Sequence, residues 1–73
     1  MIPGWKFRLA VLKHHRAVYR LARALLRGDR EAEDVTQETF MRYWQQTNEI
    51  ERPREWLLKV ARNNCLGLLR KER

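Results

Sequence analysis

The sequence predicts an all-α fold, a compact bundle of three helices, or four if the first segment breaks. Three observations carry this expectation. Apolar residues recur at helical spacing in three separate stretches. No stretch alternates apolar and polar residues as a half-buried strand would. Residues that stop and start helices, Gly28-Asp29 and Pro53, fall between the stretches.

The first helix is expected over about residues 5–27. Val18, Leu21, Ala22, Leu25 and Leu26 share one face, and Arg16, Arg20, Arg23 and Arg27 take the other. Lys13-His14-His15-Arg16 interrupts the apolar stripe, so a kink or break is expected near His14. Gly28 stands where a left-handed C-terminal cap would end the helix.

The second helix is expected over about 30–47. Asp29 is placed to cap it, and Glu31, Glu33 and Asp34 suit its positive N-terminal end. The buried stripe reads Ala32, Val35, Thr36, Thr39, Phe40, Tyr43, Trp44. Asp34, Gln37, Glu38 and Gln45 lie opposite with Met41 exposed among them, and Thr47-Asn48 closes the helix.

A short linker, Asn48 to Arg52, leads to a third helix over 53–71. Pro53 fits its first turn, where a missing N–H costs nothing. Trp56, Leu57, Val60, Ala61, Asn64 and Leu68 fall near one side, with Lys59, Arg62, Asn63 and Arg70 elsewhere. The expected core joins Phe40, Tyr43 and Trp44 to Trp56, Leu57 and Val60, closed by Leu21, Leu25 and Leu26.

Seventy-three residues make a single domain, 1–73, with a thin stability margin, since so short a chain buries only about 60% of its unfolded surface. The 44% of apolar residues and the scarcity of Gly and Pro exclude a disordered tail. Cys65 is the single cysteine, so an internal disulfide is impossible and a reducing cytoplasm is expected. No apolar run reaches the ~18 residues that span a bilayer, and the N-terminus lacks a secretory pattern.

The net charge of +7 is strongly segregated. Residues 1–28 carry seven Lys/Arg and no acid. Residues 29–51 set seven acids against Arg30 and Arg42, a net of −5, and residues 52–73 set seven bases against Glu55 and Glu72, a net of +5. Two kinds of partner follow, a polyanion and a basic protein surface. No catalytic constellation appears: the acids cluster on one helix with no nucleophile or phosphate-cradling glycine loop nearby. His14 and His15 are adjacent and so point about 100° apart on a helix, which does not make a metal pair. Cys65 reads as a small core residue. No cofactor is expected.

Two blocks carry a family resemblance. The first is Ala32-Glu33-Asp34-Val35-Thr36-Gln37-Glu38-Thr39-Phe40 followed by Trp44. The second is Pro53-Arg54-Glu55-Trp56-Leu57-Leu58-Lys59-Val60-Ala61-Arg62-Asn63 followed by Leu68-Leu69-Arg70. In order and spacing they resemble region 2 of the sigma-70 family, specifically the small extracytoplasmic-function type. Val18 to Leu26 also fits the family's first helix, so the resemblance covers roughly 15–73. Two positions depart from it: Gly67 replaces the family's usual Asp, and Asn64 replaces an aliphatic residue.

The resemblance implies a bacterial transcription-initiation domain and not an enzyme. By resemblance, the second helix docks on the clamp helices of the largest catalytic subunit of core RNA polymerase. Asp34, Gln37, Glu38 and Met41 lie at i, i+3, i+4 and i+7 and form the matching stripe. By resemblance again, the third helix and its linker capture the non-template strand of the promoter −10 element. Arg52, Arg54, Lys59, Arg62, Arg70, Lys71 and Arg73 suit phosphates, and Asn48, Trp56 and Asn63 suit unstacked bases. Periodicity alone also places Trp56 in the core.

An anti-sigma factor is a further expected partner. A membrane is not, although Trp5, Lys6, Phe7 and Arg8 would suit an anionic surface. The family's C-terminal −35-reading domain is not encoded in these residues. Two rival readings are a sigma-like decoy for an anti-sigma factor and a stand-alone helix-turn-helix duplex binder.

Overall fold

A computed structural model describes residues 2–71 of the chain. Helix α1 spans Gly4–Leu25, α2 spans Asp29–Trp44 and α3 spans Pro53–Lys71, with no strand among the described residues. Each helix packs against both others. The 22 residues of α1 are about 33 Å long and set the longest extent of 38 Å.

The break expected near His14 does not occur, and α1 is continuous. Its inner stripe runs Ala10, His14, Val18, Ala22 at i, i+4 spacing, so His14 is a half-buried member of that stripe. Lys13 and Arg16 are exposed, and His15, though exposed, lies over the Phe40 ring, so the packed face is left intact. Burial lowers the pKa of His14, and the charges of Arg54 and Lys13 push the same way.

The corner between α1 and α2 also differs from expectation. Gly28 has φ −105° and ψ 146°, an extended conformation and not a left-handed one. It occupies the N-cap position of α2, and Asp29 is already helical. Arg23 does the closing. Its Nη1 donates to the Leu26 carbonyl at 3.0 Å, and its Nε donates to Asp29 Oδ1 at 2.7 Å. The Tyr19 hydroxyl donates to the same Asp29 oxygen at 3.2 Å. One arginine thus covers an orphan carbonyl at the end of α1 and ties the two helices together.

Within α2 the buried Thr36 and Thr39 donate to the carbonyls of Ala32 and Val35, both at 2.7 Å, which satisfies their hydroxyls inside the core. The helix ends at Trp44, earlier than the expected Thr47-Asn48 stop. Gln46 Nε2 donates to the Arg42 carbonyl at 3.1 Å, so the side chain of Gln46 covers a terminal acceptor and the chain turns away. Pro53 opens α3 as expected, and the Trp56 amide donates to the Arg52 carbonyl at 3.0 Å.

Val18, Ala22, Ala32, Thr39, Leu57, Ala61 and Cys65 are fully enclosed. Phe40, Tyr43 and Leu26 join them, but Trp44, Trp56, Val60, Leu21 and Leu25 are only partly buried. Leu68, expected on the inner side of α3, is 39% exposed, because the inward face there follows Cys65 and Leu69, one turn apart, and turns Leu68 towards the open groove beside Glu38 and Arg42. The small residues Ala22, Ala32 and Ala61 let the helices approach closely. Phe7 fills the far end of the α1–α2 seam, its ring centroid 4.9 Å from that of Trp44 and 6.5 Å from that of Phe40. That inward position, with Lys6 bonded to Glu49 at 3.1 Å, breaks up the surface cluster read from Trp5 to Arg8.

Candidate functional site

The outward side of α2 carries Asp34, Gln37, Glu38 and Met41, all exposed, opposite a buried stripe from Ala32 to Tyr43. Met41 is 55% exposed, an apolar contact one turn beyond the Glu38 carboxylate. Glu38 Oε1 accepts from Arg42 Nη2 at 3.2 Å, an exposed i, i+4 pair. Asp34 makes no ion pair among the described residues. Beside Gln37 and Met41 lies an apolar groove of about 310 Å³ between α1 and α2, lined also by Phe7, Val11, His15, Thr36 and Phe40. The ring of His15 lies over that of Phe40 with centroids 6.2 Å apart. Sequence reasoning missed these α1 residues, because nothing in the periodicity of α1 says which neighbour its flank meets.

At the start of α3, Ile50, Glu51, Arg52, Glu55, Trp56 and Lys59 line an open groove of about 330 Å³. Trp56 both packs and lines. Its ring sits 5.8 Å from that of Tyr43 at an interplanar angle of 54°, while the rest of the half-buried side chain borders the groove. Arg52 Nη1 lies 3.5 Å from Glu55 Oε2 across the same opening. Ile50 and Glu55 are groove residues that the sequence reading did not single out.

The remaining DNA candidates are dispersed. Asn48 borders a separate cavity of about 220 Å³ with Ile2, Pro3, Lys6, Gln46, Thr47 and Glu49, so it does not join Trp56. Arg54 is exposed and lies near enough to His14 to lower its pKa, beside α1. Arg62 and Arg70 are exposed along α3. Asn63 and Lys71 share a third groove, of about 240 Å³, with Glu38, Arg42, Asn64, Gly67 and Leu68. Arg73 lies outside the described residues. Cys65 is enclosed in the core, and burial raises the pKa of its thiol.

The basic, exposed α3 and the acidic, exposed α2 are thus held in one body, and the family comparison bears on that arrangement. The family model for sigma-70 region 2 matches residues 10–73. The chain belongs to the sigma-70 region 2 family. The match takes in all of α2, the linker and α3, together with most of α1. As a sigma-70 region 2 domain, the chain is a transcription-initiation module that binds RNA polymerase and takes part in promoter recognition. Comparison with curated proteins and with solved structures returned no match. No helix among the described residues is long and apolar enough to cross a membrane.

Proposed function

We propose that this region 2 domain is the promoter-melting module of a bacterial, cytoplasmic sigma factor of the extracytoplasmic-function type, a binding domain and not an enzyme. Asp34, Gln37, Glu38 and Met41 dock on the clamp helices of the polymerase's largest catalytic subunit. The linker and α3 hold the non-template strand of the −10 element once it separates. The observation that carries this reading is the separation of the two surfaces. The docking stripe lies on α2 alone, and the Trp56 groove is built by the linker and α3, so polymerase and DNA are held at once.

The chemistry of each surface supports its role. Carboxylates at Asp34 and Glu38 accept charge-assisted hydrogen bonds from arginines of a partner helix, and Met41 supplies an apolar contact at the end of the stripe. In the groove, a flipped base stacks on Trp56 while Arg52 and Lys59 meet the flanking phosphates. Arg54, Arg62, Arg70 and Lys71 add charge along α3, with Asn48 and Asn63 supplying amide contacts from the two separate cavities they border. No step requires ATP or a cofactor. An anti-sigma factor that covers the α2 stripe would block docking without touching the DNA side.

The test is retention of core RNA polymerase by immobilised domain, wild type beside Asp34→Arg and Glu38→Arg. Wild type retains polymerase, and both reversals lose it while their circular dichroism stays helical. Normal retention by the reversed variants would remove the docking assignment.

A further inference from the structure

Gly67 lies inside α3, where glycine weakens a helix relative to alanine. Two ordinary reasons for a glycine in such a place are absent. Its φ is not positive, and a Cβ built on it meets nothing within 4 Å. The space is open, and it opens into the groove between α2 and α3 lined by Glu38, Arg42, Asn63, Asn64, Leu68 and Lys71.

The polar groups around this space include two cationic donors, Arg42 and Lys71. Arg42 presents five N–H donors and makes a single hydrogen bond, at 3.2 Å, to the Glu38 carboxylate. Lys71 forms no ion pair among the described residues. The Asn64 amide nitrogen is buried without a partner, a state that polar groups rarely keep unless something else completes them. Cationic donors and a buried amide N–H around a space whose one charged lining acceptor is the Glu38 carboxylate, the Asn63 and Asn64 amide oxygens being neutral, fit an oxyanion.

From this we infer that the Gly67 slot is a phosphate subsite for single-stranded DNA, with Arg42 as its principal ligand. The inference rests on the strand-capture reading above and extends it to a residue of the acidic helix. Trp56, Asn63 and Gly67 fall at i, i+7 and i+11, so one side of α3 joins the two grooves over about 16 Å. Lys59 and Arg70 flank that side. A strand with a base at Trp56 runs its backbone along this edge into the slot. Glu38 holds Arg42 in reserve until a polymerase arginine takes the carboxylate, which frees the guanidinium for the phosphate. Docking and DNA holding are thereby coupled through one ion pair.

The experiment measures affinity of the 73-residue chain for a duplex with an unpaired bubble, by fluorescence anisotropy across a salt series. Arg42→Gln lowers affinity several-fold and reduces the log–log salt slope by about 0.7, the value for one single-strand phosphate. Gly67→Asp lowers affinity, and Gly67→Ala keeps it while raising the melting temperature. Glu38→Gln raises affinity, and that gain disappears in the Arg42→Gln background. Trp56→Leu serves as the reference. If it loses affinity while Arg42→Gln does not, the slot is wrong and strand capture stands. If neither matters, strand capture fails and the slot with it. If Arg42→Gln leaves DNA binding unchanged and loses polymerase retention, the slot belongs to an acidic group of the protein partner and the inference is overturned.

Discussion

The outward face of α2 and the edge of α3 are both polar stripes at helical spacing, yet they are built differently. The α2 stripe belongs to one helix, and its exposed members, Asp34, Gln37, Glu38 and Met41, keep the order the period gives them. The α3 edge is divided between two concavities, each completed by residues from elsewhere: Ile50 and Arg52 at one, Glu38 and Arg42 at the other, while Asn48 borders a third cavity that no α3 residue lines. A convex face needs only a helix, whereas a groove needs two walls. The difference suits a rigid protein contact on the first surface and capture of a flexible strand on the second.

The largest effect expected is the one that separates the two surfaces outright. Glu38→Arg abolishes polymerase retention, at least ~100-fold, since like charges then face across a desolvated contact. The same variant still binds bubble DNA in an anisotropy assay. Loss of both activities with an intact helical spectrum would mean that the two surfaces are one.

Next in size is Trp56→Leu, which keeps apolar bulk against Tyr43 and removes the stacking surface. Affinity for bubble DNA falls about tenfold, in line with roughly 1–3 kcal/mol per stacked base, and polymerase retention does not change. A Trp56 that acts only as core would instead lower the melting temperature and leave DNA affinity alone.

A smaller change sharpens the charge account of α3. Lys59→Gln weakens binding uniformly across DNA sequences and lowers the salt slope by about 0.7. A sequence-dependent loss would show that Lys59 reads a base.

The smallest effect concerns the α1 wall that supports both surfaces. The pKa of His14 is lowered from 6.5 by burial, with Arg54 and Lys13 adding to it, so the fold favours the neutral imidazole. Its contribution is therefore present above the unfolded value of 6.5 and is lost as pH falls below it towards the folded value. Urea midpoints should decline modestly on acidification through this window, and His14→Gln should flatten that part of the profile. An unchanged slope in the variant would assign the decline to other groups.

Helix existence and type were legible because apolar spacing is a local property, as in the run from Ala32 to Trp44. The ends were less so. Gly28 and Asp29 carried the right signals for a boundary but the wrong geometry, since Arg23, six residues before Asp29, took over the closure. The apparent interruption at His14 came from treating histidine as polar at a position where the neighbouring helices bury it.

What the sequence determined by itself was three amphipathic helices, the segregation of charge between them and the family to which the two motif blocks pointed. These depend on neighbours within a turn or two and on residue order. The tertiary structure decided which residues meet: Arg42 with Gly67 and Lys71 in one groove, Trp56 with Ile50 in another, and Phe7 against the ring of Trp44. Those meetings depend on how far each helix is rotated against the others, and no single helix encodes that angle. It is set by the mutual packing of small residues such as Ala22, Ala32 and Ala61, which the period marks as buried without saying against what.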